Sequence, residues 1–156
     1  MEEFQQHRGL ALKSIATAEH ILNITYPVVQ DTRLLLGVVE NINLALSNTM
    51  FSIVAYERLF RRVPQHSDNF DSKFSLFRLK VVPRYNIDSS FAELIARVKD
   101  ILRKHRQCPV EFTRKGKFVI CSEGWKVESL GIQQLQQYIY KAKEFFELVN
   151  KITSRF

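Results

Sequence analysis

Apolar residues recur at helical spacing through most of this 156-residue chain, and the breaks in that recurrence divide it into five helices. The first is expected from about Glu2 to Ile24, with Ile15, Ala18, Ile21 and Leu22 facing inward. Pro27 should close it, because proline lacks the amide proton that a helix interior needs. Asp31 is a plausible N-cap for a second helix reaching about Arg62. Its stripe is Leu34, Leu35, Val38, Ile42, Ala45, Leu46, Ile53, Tyr56 and Phe60, while Leu36, Val39, Leu44 and Phe51 fall off that stripe. A helix apolar on most sides belongs at the centre of a bundle, where Asn41, Asn43 and Asn48 would need partners from neighbouring helices. A third helix spans Phe70 to Val82, with Phe70, Phe74, Phe77 and Val81 on one side and Pro83 as its stop. Asp88, Ser89 and Ser90 offer N-caps for the fourth, and Ser90 with Glu93 fits a capping box. Its stripe, Phe91, Leu94, Ile95, Val98, Ile101 and Leu102, is the cleanest amphipathic signal in the chain.

Beyond Pro109 the period changes. Val110 to Arg114 and Lys117 to Cys121 are short β-prone runs joined through Lys115-Gly116, and Trp125 to Val127 offers a third. Helical periodicity then returns from about Ile132 to Ser154, with Ile132, Leu135, Ile139, Ala142, Phe145, Val149 and Ile152 inward. The expected fold is therefore mainly α. It is a five-helix, bundle-like single domain over 1–156, with a small β-hairpin at about residues 110–127 inserted before the last helix.

Composition adds few constraints to this picture. At 46% hydrophobic and 25% charged residues, with five glycines and four prolines, the chain has neither a disordered nor a low-complexity profile. The start is acidic and lacks an apolar signal-like stretch, and the sixteen uncharged residues between Glu40 and Glu57 fall short of the roughly 18 that suggest a membrane span. A cytoplasmic protein without a membrane partner is expected, with Cys108 and Cys121 as reduced thiols.

Charge changes the picture more. Residues 58–117 carry fifteen Lys/Arg against six Asp/Glu, whereas the rest of the chain carries eight against ten. Such clustering is the electrostatic footprint of a polyanion binder, or else an ordinary solvated surface. Within it, Arg97, Arg103, Lys104 and Arg106 lie along the fourth helix, and Arg114, Lys115 and Lys117 lie at the hairpin tip. Strands folded back on the helix end would place both groups on one face, as phosphate contacts require. Cations closing a helix are also favoured by its macrodipole. Phe112, Phe118 and Trp125 are the nearby rings that could offer bases a stacking surface, although the two phenylalanines are better read as packing residues.

Other chemistry finds little footing. Cys108 and Cys121 stand thirteen apart near His105, without any CxxC or HxxxH pattern, so no metal and no cofactor is expected. No phosphate-cradling glycine loop or nucleophile elbow occurs.

The order of elements resembles the HEPN class of small helical bundles, on the stretches Asn48–Leu59 (containing Ser52-Ile53-Val54-Ala55-Tyr56-Glu57), Phe70–Val82, Leu94–Leu102 and Tyr138–Ile152. The run from Pro109 to Ser122 also looks like uncharacterised small archaeal proteins. Members of the class that cleave RNA carry an arginine, then four to six intervening residues, then a histidine near the start of the last long helix. Here no histidine follows Arg103 or Arg106 at that spacing, and the one pair that has it, Arg61 and His66 with four residues between them, falls between the second and third helices around Pro64. The resemblance thus implies a non-catalytic relative. The expected function is a non-enzymatic module binding RNA or another polyanion; the alternatives are a protein-interaction or homodimerisation module and a metal-independent ribonuclease using Arg61 and His66.

Overall fold

Two prolines that should end helices lie inside them. In the structure, a computed structural model, α1 (Glu3–His20) runs into a π turn (Ile21–Thr25) and then α2 (Tyr26–Val29), with Pro27 in the first turn of α2. The same construction recurs after α3 (Arg33–Leu59): α4 (Phe70–Leu76), a π turn (Phe77–Val81), then α5 (Val82–Tyr85) containing Pro83. A proline ring clashes with the carbonyl four residues back. Widening the preceding turn to an i→i−5 pattern removes that conflict, and here Tyr26 N–H donates to the Ile21 carbonyl and Val82 N–H to the Phe77 carbonyl. Both extended helices stop at a left-handed residue, Gln30 (φ 55°) and Asn86 (φ 51°). The ends expected at Ile24 and Val82 are therefore corrected by one turn each.

The structure describes the backbone of residues 1–107, 112–114, 117–121 and 127–155, and the side chains of 1–106 and 130–155. Its remaining helices are α6 (Ser89–Gln107) and α7 (Ile132–Thr153), so the described residues form five helical rods, mainly α as expected. Between α6 and α7 the described backbone has three short extended stretches, β1 (Phe112–Arg114), β2 (Lys117–Cys121) and β3 (Val127–Leu130), antiparallel in that order. The small hairpin expected over about 110–127 is not established by them, since its turn at 115–116 and residues 122–126 lie outside the described residues.

Helix α3 is the central rod, packed against α1, α6 and α7. It buries residues on several sides, among them Leu35, Val39, Ile42, Leu46, Met50, Ile53 and Tyr56, as a helix apolar all round must. It is also long and apolar enough, by length and composition alone, to cross a membrane, and half of its most apolar stretch is buried in the bundle. Its asparagines find partners nearer home than expected. Asn41 and Asn48 donate to the carbonyls of Gly37 and Leu44 in their own helix, and Asn48 also reaches another helix, meeting His7 Nδ1 at 2.9 Å. The N-cap of α3 is Thr32 rather than Asp31, which lies one residue before it and accepts from Arg33 N–H at 3.0 Å. Asp88 precedes α6 directly and does cap it, accepting from Ser90 N–H at 2.8 Å. The whole expected stripe of α6 is buried, which stabilises by roughly 1.5–3 kcal/mol per large side chain. Phe145 of α7 sits where helices meet, edge-on to Phe77 at 5.6 Å and stacked on Phe91 at 5.1 Å.

Helix α3 ends on an arginine where glycine is usual. Arg61 has φ 57°, and Arg62 N–H donates to the Glu57 carbonyl at 2.9 Å, the six-to-one bond of a Schellman motif. A left-handed L-residue costs about 1–2 kcal/mol, partly offset by the greater unfolded-state freedom of glycine. Arg61→Gly is expected to stabilise the protein by about 0.5–1 kcal/mol, read as a higher denaturation midpoint at unchanged m-value.

Candidate nucleic-acid interface

Helix α6 turns about 100° per residue, so its basic side chains fall on two flanks of the buried stripe. Lys99, Arg103 and Arg106 share one flank; Arg97 and Lys104, seven apart, share the opposite one. The four arginines and lysines expected to form a single face on this helix are thus divided, with Arg103 and Arg106 kept together and joined by Lys99.

The flank of Lys99, Arg103 and Arg106 faces α4. That helix begins at Asn69, whose Oδ1 accepts from Ser72 N–H at 2.8 Å. Its start is pinned again by Lys73, a buried lysine that pairs with Asp68 at 2.7 Å and stands 4.5 Å over the Phe51 ring. Phe70 and Phe74, one turn apart, stack at 5.4 Å and remain half-buried. Lys99 Nζ stands 4.2 Å above Phe70, and Arg78 lies 5.2 Å over Phe74. Between the helices runs a groove of about 500 Å³ lined by Phe70, Phe74, Lys99, Arg103 and Arg106, together with the carboxylates of Asp71 and Asp100 and with Asn43 of α3. It continues past Arg106, Asn43 and Leu102 into a second hollow of about 320 Å³ that reaches His105 and Leu44.

Electrostatics grade the basic groups along this groove. Burial, then the Arg106 charge, lowers the Lys99 ammonium below its usual range, while Asp71 opposes the shift. Asp100 sits on the solvent ridge between the two flanks and pairs with Arg103 at 2.6 Å and Lys104 at 3.0 Å. Those hydrogen bonds hold its carboxyl below the usual carboxylate range. Asp100 therefore offsets part of the charge on Arg103, whereas Arg106 has no ion-pair partner among the described residues. Removing that offset by Asp100→Asn is expected to tighten polyanion binding by about 1 kcal/mol, roughly fivefold, at low salt, as a titration would read.

Such a groove offers cations spaced along one track beside stackable rings, the combination that single-stranded nucleic acids use. The other expected site residues stand apart from it. Arg114 and Lys117 lie on β1 and β2 with side chains outside the described residues, as are those of Phe112, Phe118 and Trp125; Lys115 lies outside entirely. Arg61 is exposed in its left-handed cap, and His66 Nδ1 lies 3.1 Å from the Pro64 carbonyl. Among the described residues no hydrogen bond or ion pair joins the two, and no three His, Cys, Asp or Glu side chains gather. Spacing places the rings that matter here, Phe70 and Phe74, on the same side of their helix as Phe77 and Val81. Phe77 and Val81 are buried whereas Phe70 and Phe74 stay partly open to the groove, a difference that no local pattern encodes. Comparison with family models, curated proteins and solved structures returns no match for this chain.

Proposed function

We propose that this chain is a non-enzymatic helical module that binds RNA, or another single-stranded polyanion, along the groove between α4 and α6. The observation that carries the reading is the alignment of Lys99, Arg103 and Arg106 opposite the Phe70–Phe74 pair. Cations would neutralise successive phosphates while bases stack on the Phe70–Phe74 pair. The element order that resembles HEPN bundles, the hairpin before α7 with its basic tip, and a cytoplasmic setting belong to the same reading.

The test is titration of the protein into labelled single- and double-stranded RNA at several salt concentrations. Four cations at the groove, counting Arg78, give an expected slope of log K on log salt of roughly −3 for a single strand. Phe74→Ala is expected to weaken single-strand binding by about 1–3 kcal/mol and leave salt dependence unchanged, because it removes stacking and no charge. Replacing Arg114, Lys115 and Lys117 by glutamine measures what the hairpin tip adds. No binding near physiological salt would defeat the reading.

A protein-interaction or homodimerisation role is the second reading, supported by the exposed apolar set Ile24, Val28 and Val29 at the end of α2. Light scattering decides it: a tight dimer without RNA affinity favours it.

A further inference from the structure

At the other end of α3 a carboxylate is buried among arginines. Glu57 is 1% exposed. Tyr85 donates its hydroxyl proton to Glu57 Oε1, and Arg62 Nη1 approaches the same oxygen at 3.5 Å while also donating to the Tyr85 hydroxyl at 3.3 Å. Arg84 Nε lies 3.7 Å from Oε2, which accepts no hydrogen bond among the described residues. The π turn before Pro83 carries the chain into α5, where Arg84 and Tyr85 both lie, and Arg61's left-handed cap turns the chain so that Arg62 comes back over the same carboxylate. Two backbone irregularities thus converge on one cluster, and π turns of this kind concentrate at functional sites.

Above the cluster is a pocket of about 390 Å³ lined by Tyr56, Phe60, Arg62, Arg84, Tyr85 and Arg155. That volume falls in the range of small-molecule sites. Three guanidinium groups face it, and Glu57 is the carboxylate bonded to two of them. Arg155 has no ion-pair partner among the described residues. Two positive charges are left over, and a phosphate monoester carries about −1.5 to −2 at neutral pH. Guanidinium forks match phosphate oxygens bidentately, and the buried carboxylate holds two of the forks in place before any ligand arrives. Phe60, 40% exposed, and Tyr56 form an edge-to-face aromatic wall at 4.9 Å.

The geometry points to a second anion site, separate from the α4–α6 groove, in which Arg62, Arg84 and Arg155 bind the phosphate of a small phosphomonoester, with Phe60 and Tyr56 as the wall for an attached ring. Adenosine 5′-monophosphate and inorganic phosphate are the probes, titrated by calorimetry into the full chain. Saturable binding of either is expected. Arg155→Gln, which breaks no contact to Glu57, and Arg84→Lys, which keeps the charge and removes the fork, should each weaken binding about tenfold while thermal unfolding stays cooperative. Tighter binding of the nucleotide than of phosphate adds the aromatic wall to the site; equal affinity confines it to the arginines. An Arg103→Gln/Arg106→Gln protein should bind both probes as the parent does. The proposal is overturned by no saturation up to about 10 mM of either probe, well beyond a millimolar Kd. Parent-like affinity in both Arg155→Gln and Arg84→Lys, or loss of affinity in the groove variant, overturns it equally.

Discussion

Replacing Lys99, Arg103 and Arg106 together by glutamine should cost about 100-fold in affinity for single-stranded RNA at roughly 50 mM salt. Each of the three cations is taken to contribute on the order of 1 kcal/mol through a phosphate contact near the surface, and the three share one flank of α6. The salt slope should flatten by about two units in the same experiment, which a loss of packing would not produce. Arg97→Gln/Lys104→Gln removes two charges from the same helix but from its opposite flank, and should change affinity only a few-fold. Stability separates these effects from unfolding. Lys99 is half-buried with its charged form disfavoured, so the triple variant gives up one cation–π contact with Phe70, worth about 0.5–1 kcal/mol, and the solvent-exposed Arg103–Asp100 pair, of a kind that contributes little. The pH dependence has a definite sign. Lys99 releases its proton below 10.5 in the folded protein, so fold stability rises as pH climbs through that depressed value toward 10.5. A bound phosphate favours the charged form, so RNA affinity should fall over the same window.

Much of this was legible in the residues. The stripe Phe91, Leu94, Ile95, Val98, Ile101 and Leu102 is buried as its spacing requires, and α7 begins and ends within a residue of its expected bounds. The helix ends are less legible. Pro27 and Pro83 read as stops, because a proline's clash with the previous turn is a local rule. Its relief by a π turn depends on whether the widened helix still buries Leu22 and Tyr26, or Phe77 and Val81, against α3. That gain is tertiary and leaves no mark in the few residues around each proline.

The candidate groove was half legible for a related reason. Helical phase alone separates Arg103 and Arg106 from Arg97 and Lys104 and puts Lys99 with the first pair, but the sequence does not show which flank meets another helix. Phe70 and Phe74 could not be told from core by spacing, since they share a side of α4 and its π turn with Phe77, which is fully buried. The arginine pocket was less legible still. Glu57, Arg62, Arg84, Tyr85 and Arg155 come from three separate stretches of sequence, joined only by how α3, α5 and the end of α7 meet.

The largest loss of stability is expected from Phe145→Ala. The ring is fully buried, edge-on to Phe77 and stacked on Phe91, so truncation leaves a cavity bordered by three helical rods that cannot all close inward at once. Phenylalanine-to-alanine changes at such sites cost about 3–5 kcal/mol. For a chain of this length that amounts to roughly 10 °C or more in Tm. Phe146→Ala, next along α7 but in a smaller cluster with Ala11, Ile15 and Ala45, should cost less, because its neighbours on α1 and α3 already include two alanines and the site has fewer contacts to lose. The two variants also test how the groove is held. Phe91 anchors α6, and α6 carries Lys99, Arg103 and Arg106, so loosening Phe145 frees the helix that presents the cations. Below its unfolding transition, Phe145→Ala should bind RNA with a shallower salt slope, whereas Phe146→Ala should keep the parent's slope. Equal slopes in both would mean that α6 is positioned by its own stripe against α3, and that the stack on Phe145 serves stability alone.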